Sequence, residues 1–216
     1  MDETLLLLVN GCHNAYWDEF MWMLTYRFTW VPLYVALAYA IVHTLGWRRG
    51  LMFVLAIGLS TLLADQVGSH VIRPMAERLR PSNLDNPLSS AIHIVHDYRG
   101  GAFGMPSCHA ANTVSLLTMM CLQLRCRWLN SLLALWMLSQ VYSRMYLGVH
   151  YPTDLLVGSL LGCITAVIMV FAYRYSVRSY DLGEWGREDV KYPYWLVPAA
   201  VLKLTVIAIF VLSLLP

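Results

Sequence analysis

Between residues 143 and 154 the chain reads Ser-Arg-Met-Tyr-Leu-Gly-Val-His-Tyr-Pro-Thr-Asp. The imidazole of His150 is the group in this stretch able to act as nucleophile or base near neutral pH. Asp154 follows it by four residues, so one helical turn would bring its carboxylate back to the ring. Arg144 is a fixed cation whose planar fork suits phosphate oxygens. A nucleophile, an orienting carboxylate and an anion clamp so close together predict phosphoryl chemistry. The competing reading is a structural ion pair at a helix junction.

Two further groups fit the same chemistry. Pro106-Ser107-Cys108-His109 precedes an apolar run. Ser107 is a natural N-cap, and the free N–H groups and positive dipole end of a helix start bind phosphate. His109 then falls in the first turn, beside any bound anion. The plainer reading is a capped helix with an interfacial histidine. Arg73 and Arg80-Pro81 form the third group. Pro74 can open a short helix on which residues seven apart share a face, aiming both guanidinium groups at one point. The plainer reading is juxtamembrane charge against lipid head groups. Three arginines, two histidines and one aspartate in three segments make a chance arrangement a poor account of the set.

The elements that must position these groups are hydrophobic. The chain has 216 residues, 58% apolar and 13% charged, against about 25% charged in soluble domains. This composition predicts one integral membrane domain over residues 1–216, an all-α bundle of six transmembrane helices with its site at the membrane interface. Leu5–Val9 is too short to span a bilayer, so residues 1–16 read as an in-plane lead-in. The expected spans are Phe20–Leu45, interrupted by Arg27 and Pro32, then Leu51–Ile72, Cys108–Leu124, Trp128–Leu147, Pro152–Tyr173 and Tyr194–Leu215, the last within residues 194–216. Six spans put both termini on one side. The other side collects Arg48, Arg49, Arg125, Arg127, Arg174, Arg178, Arg187 and Lys191, and the positive-inside rule makes that side cytoplasmic. The three motifs then face outward, in a bacterium toward the periplasm from the inner membrane. A net charge of +2 argues against a nucleic-acid partner. Five cysteines, with Cys121 and Cys163 inside apolar runs, give no disulfide framework. The opening Met-Asp-Glu has the wrong charge for a secretory signal, so the spans themselves must direct insertion.

The three motifs together resemble the type 2 phosphatidic acid phosphatase superfamily of membrane lipid phosphatases. Its pattern is Lys-x6-Arg-Pro, Pro-Ser-Gly-His and Ser-Arg-x5-His-x3-Asp. Here it is matched by Arg73 and Arg80-Pro81, by Pro106 to His109, and by Ser143-Arg144, His150 and Asp154, with the resemblance covering residues 20–175. Arg73 stands where the family has lysine, and Cys108 where it has glycine. The resemblance implies that His150 attacks phosphorus and that Asp154 orients it. It implies that His109 protonates the leaving oxygen and then activates water. Arg73, Arg80, Ser107, Cys108 and Arg144 would hold the phosphoryl oxygens. It implies no metal and no cofactor, and a lipid phosphate in the bilayer as the partner. Undecaprenyl pyrophosphate, lipid A and phosphatidylglycerol phosphate are the candidate substrates, and the pattern resembles bacterial isoprenyl-pyrophosphatase and lipid A phosphatase members alike. A lipid-to-lipid phosphotransferase and a non-enzymatic transporter or scaffold are the alternatives. Of the remaining polar residues, Asp65 and Gln66 are expected to support Arg73. His43, His70, His93 and His96 are expected to be structural, and Lys203 to snorkel or pair within the bundle. The glycine-rich Tyr98–Met105 stretch is expected to form a mobile rim over the site.

Overall fold

The computed structural model describes residues 1–180, 182, 188–189 and 193–215. Arg187 and Lys191, two of the charges used for orientation, lie outside the described residues. The chain is mostly helical. Helix α1 (Asp2–Asn10) leads through a turn into α2 (Ala15–Thr25), whose start is capped by Asn14 accepting from the Trp17 N–H. Then follow α3 (Val31–Leu45), α4 (Trp47–Gln66), a π-helical segment (Val67–Ile72) and α5 (Arg73–Ala76). Pro87–Ala91 is a 3-10 turn in the long connection that follows. The chain continues with α6 (Cys108–Gln123), α7 (Arg127–Tyr146), α8 (Pro152–Ser179) and α9 (Leu196–Leu212). Among the described residues the β pairing in strands is two residues long, Leu124–Arg125 against Glu188–Asp189.

The expected first span is two helices. Tyr26 turns extended and Pro32 enters the first turn of α3, which breaks the ladder between Thr25 and Val31. Side chains take the carbonyls left free at the break: Thr29 Oγ1 donates to Met23 O and Trp30 Nε1 to Leu24 O, at 2.8 and 2.7 Å. The second span is longer than expected. It runs as one 30-residue helix, Trp47–Ala76, through the π segment. Pro152–Ser179 is the other helix long and apolar enough to cross a bilayer, while Val31–Leu45 and Leu196–Leu212 are apolar but shorter. Outward faces carry Leu55, Leu59, Leu156, Leu160, Leu204 and Ile207, all exposed, as a lipid-facing surface requires. Lys203 is exposed on α9 rather than enclosed by the bundle.

Two ends of the bundle can be told apart by contacts. Asp2 bonds Thr153 and the Tyr16 hydroxyl donates to Phe210 O, so both ends of the described chain lie at the end where α7 passes into α8. At the other end Trp195 Nε1 donates to Thr44 Oγ1, and Arg174 donates to Gln123 and Leu122.

Helix α6 is central, and its closest partner is α8. A Cβ on Gly158 would lie 2.3 Å from Ser107 O, and one on Gly162 would lie 2.2 Å from Ala111 O. The small-xxx-small spacing lets the two backbones touch. This contact sets the start of α6, with its histidine, against the start of α8, with its aspartate. Gly158→Ala should lower the detergent melting temperature by an amount equivalent to about 1–3 kcal/mol of overpacking, with phosphatase activity lost in parallel. Gly101→Ala, whose Cβ would meet open space, should leave both unchanged.

Candidate active site

The three motif segments meet at one end of the bundle. His150 lies in the connection after α7, and it is 2% exposed. The connection turns at Gly148, which has φ +67°. Asp154 is fully buried in the first turn of α8. The expected approach of ring and carboxylate is observed, but not through a helical turn. Pro152 starts α8, and the Asp154 side chain folds back over that start, where Oδ2 accepts the Tyr151 N–H at 3.0 Å. His150 Nδ1 is then 3.5 Å from Asp154 Oδ2, at ion-pair range without a formed hydrogen bond. His150 Nε2 faces Arg80 Nη1 at 2.8 Å. A guanidinium only donates, so Nε2 carries the lone pair and the neutral ring keeps its proton on Nδ1, toward Asp154.

Arg73 and Arg80 do converge, though not from one helix face. Helix α5 stops after Ala76 because Glu77 is left-handed, with φ +44°. The chain then runs extended, with Leu79 bridging to Phe103 and Arg80 N–H donating to Ala102 O. Reversal at Glu77, not a seven-residue helical repeat, aims both side chains at the site. Arg80 also donates to Val149 O at 3.0 Å. Arg73 Nη2 donates to Pro106 O and Cys108 Sγ, each at 3.1 Å. Cys108 thus buttresses Arg73, with Ser69 and Asp65 also bonded to its thiol. Asp65 supports Arg73 through Cys108, one contact further out than expected. Arg144 is 3% exposed; its Nη1 donates to Thr25 Oγ1 at 2.8 Å and its guanidinium lies 5.9 Å from the Tyr98 ring centre.

Ser107 holds the N-cap position of α6, but its hydroxyl makes no capping bond. Its N–H donates to Asp154 O, and its Oγ is buried without a partner. Arg73 Nε, Arg80 Nε and Arg144 Nε are also buried and unpartnered. Four polar groups left unpaired around one imidazole form a site shaped for an anion with several oxygens. The His109 ring reaches the Thr25 backbone and shares the field of Arg144 and Arg80. Burial pushes the His150 imidazole well below its ordinary value, and Arg80, Arg144, His109 and Arg73 push it the same way. Burial, then Arg73 and Arg144, lower the Arg80 guanidinium to about 10, still a cation at neutral pH.

Some of the participating residues could not be found from motif spacing. Arg78 donates to Asp154 Oδ1 at 3.1 Å, and also reaches Thr153 and Asp2. It lies inside the Arg73–Arg80 interval, at a position that the motif leaves unspecified. Burial works to raise the Asp2 carboxyl, but hydrogen bonds from Thr153 and Arg78 outweigh it and hold Asp2 below the usual carboxylate range. Thr25 serves Arg144 and His109 from the broken end of α2; the break was legible, its use was not. The glycine-rich stretch lies over the site. Gly104 packs against Asp154, and Gly100 against the Arg80 guanidinium. Next to the site, a cavity of about 370 Å³ opens between α3, α4, α6 and α7. Asn112, one turn beyond His109, is in its wall with Thr113, Leu116 and Trp136.

The fold and these motifs place the chain among membrane phosphatases. The PAP2 superfamily model matches residues 49–178, and the chain belongs to that superfamily. It is 43% identical over 162 residues to the lipid A 4'-phosphatase of Bacteroides thetaiotaomicron, covering 75% of this chain and 72% of the relative. It is 30% identical over 183 residues to the lipid A 4'-phosphatase of Porphyromonas gingivalis, covering 85% and 77%. Its fold is similar to the crystal structure of Aquifex aeolicus LpxE, with a TM-score of 0.57 at 21% identity over 78% of this chain and 93% of that one. It is also similar to the PAP2-type phosphatidylglycerolphosphate phosphatase of Bacillus subtilis, with a TM-score of 0.55 at 21% identity over 84% of each chain. The protein is a membrane-embedded lipid phosphatase of this superfamily.

The charge arrangement has a measurable consequence for pH. With the His150 pKa depressed, kcat/KM should stay flat from pH 7 to about pH 6 and fall only in more acid solution, since kcat/KM reports the free enzyme. Arg80→Gln removes a cation that disfavours imidazolium, so the His150 pKa rises. The acid limb should then move to higher pH, beyond any loss of rate. Arg80→Lys keeps the charge and should keep the limb in place. A separate test concerns Arg78. Arg78→Ala frees Asp154 Oδ1 and should lower kcat about 10- to 100-fold with KM nearly unchanged, as steady-state kinetics would read.

Proposed function

We propose that the protein hydrolyses a phosphate monoester on a membrane glycolipid of the lipid A type, at the periplasmic face of the bacterial inner membrane. The observation that carries this reading is the set of buried, unpartnered donors on Arg73, Arg80, Arg144 and Ser107 beside the lone pair of His150. In a water-poor site such preorganised donors stabilise the charge of a transferring phosphoryl group. The kinship with two lipid A 4'-phosphatases favours this lipid over undecaprenyl pyrophosphate and phosphatidylglycerol phosphate.

The reaction runs in two displacements. The substrate phosphate draws the Arg80 guanidinium off His150 Nε2. That nitrogen attacks phosphorus, a P–N bond forms, and the P–O bond to the lipid breaks. The bound phosphate offsets the field of Arg144 and Arg80 at His109, which therefore enters the complex as imidazolium and gives its proton to the departing oxygen, while Asp154 stabilises the Nδ1–H of the phosphorylated ring. Water then gives a proton to His109 and attacks phosphorus, the P–N bond breaks, and inorganic phosphate leaves. Cys108 acts in this scheme through Arg73, whose fork it helps to hold.

The mostly apolar cavity that Asn112 and Thr113 line, one turn beyond His109, has room for about one acyl chain. We read the bundle as six spans in one domain: α2 with α3, α4 with α5, then α6, α7, α8 and α9. Arg48, Arg125, Arg127 and Arg178 lie at the bundle end opposite the site, which supports a cytoplasmic assignment for that end. Detergent-solubilised protein should release phosphate fastest from lipid A among the three candidate lipids. His150→Ala should reduce release at least about 1,000-fold. Equal release by both proteins would sink the assignment of the nucleophile, and transfer of labelled phosphate to a lipid acceptor instead of water would make the protein a phosphotransferase.

A further inference from the structure

We propose that a second site, on the outer rim of the bundle, binds a divalent transition-metal ion, with zinc the best match, through His13, Asp18 and His93. One ligand atom from each of these residues lies within 4.8 Å of the others. They come from three segments: the turn between α1 and α2, the first turns of α2, and the loop after the 3-10 turn. The rings of His13 and His93 stack with centroids 3.7 Å apart and planes 6° off parallel, and His93 Nε2 lies 2.8 Å from Asp18 Oδ2. Turning the two rings out of their stack would bring two nitrogens and one oxygen to the spacing that a tetrahedral zinc ion requires, with water as the fourth ligand. Two imidazoles with one carboxylate suit zinc or its neighbours, not calcium or magnesium, which take oxygen.

The surroundings already hold these ligands in the way that metal sites hold theirs. Tyr146 donates its hydroxyl to Asp18 Oδ1 at 2.7 Å, which leaves Oδ2 facing the histidines. Asn10 accepts the His93 N–H at 2.8 Å and donates to His93 O at 3.0 Å, so the backbone of that ligand is fixed. The same Asn10 amide donates to Tyr146 O at 2.7 Å. Outer contacts of this kind orient ligands and commonly set affinity. The site is separate from the phosphoryl pocket, and nears it at Tyr146, two residues beyond Arg144 in α7, and at Gly148, two residues before His150, which packs against Asn10 and His93. A bound ion would pin the α1–α2 corner and the long loop to that helix end.

Cobalt(II) is the probe, added to the full-length protein in detergent after removal of any histidine tag. Wild type should bind one cobalt ion per chain with visible d–d absorption, and zinc should displace it and raise the melting temperature. His13 is exposed and stands outside the His93–Asp18 pair, so His13→Ala should fold normally. It should lose affinity at least about 10-fold and lose the zinc-induced rise. Asp18→Asn should do the same. Absence of stoichiometric cobalt binding by wild type would overturn the site, as would a band that His13→Ala leaves unchanged. A thiolate charge-transfer band that disappears in Cys12→Ser would assign the metal to the neighbouring cysteine and also overturn it.

Discussion

Three guanidinium groups converge on one buried imidazole, and the rest of the architecture serves that concentration of positive charge. Burying cations without counter-ions is costly, so each is tied to neutral acceptors. Arg80 takes Val149 O, Arg73 takes Pro106 O and the Cys108 thiol, and Arg144 takes Thr25 Oγ1. Among the described residues the one buried carboxylate near them, Asp154, is itself held by Arg78 and the Tyr151 N–H. The pocket is therefore underneutralised by design. An anion entering it would complete the charge balance and satisfy the unpaired nitrogens.

Such a pocket needs stiff walls. The α6–α8 contact supplies them by removing side chains at Gly158 and Gly162, so that Ser107 and Asp154 share a backbone hydrogen bond. The π segment adds to the other wall, where Gly68 lies against Pro106 and Cys108. A π turn shifts the helix register and is often found at functional sites. Here it delivers Arg73 to the start of α6. The Asp2–Arg78–Asp154 connection draws the first helix of the chain onto the same centre.

The motif residues were legible because the chemistry narrows the residue types, and three ordered spacings are specific. The family follows from that pattern, and the helical membrane character follows from composition. The means of assembly were not legible. Arg73 and Arg80 were expected to share a helix, but the left-handed turn at Glu77 brings them together instead. Asp154 was expected one helical turn from His150, but Pro152 places a helix start between them. Arg78, Asp2 and Thr25 are joined to their partners across more than seventy residues of chain, and no local pattern reports such contacts. The break after Thr25 was visible as Arg27 and Pro32, while the carbonyls it frees, and the side chains that take them, were not.

The cavity between α3, α4, α6 and α7 has a consequence for how this enzyme meets its substrate. Its walls are mostly apolar and lie within the helical bundle, so on the proposed reading a lipid entering there would reach the histidines without its tails leaving the leaflet. The quantity that governs occupancy is then a surface mole fraction. Diluting the bilayer with inert lipid slows the encounter at constant total substrate, whereas diluting the surrounding buffer does not. On that reading, turnover would follow the two-dimensional composition of the membrane and not the concentration of lipid in the bulk.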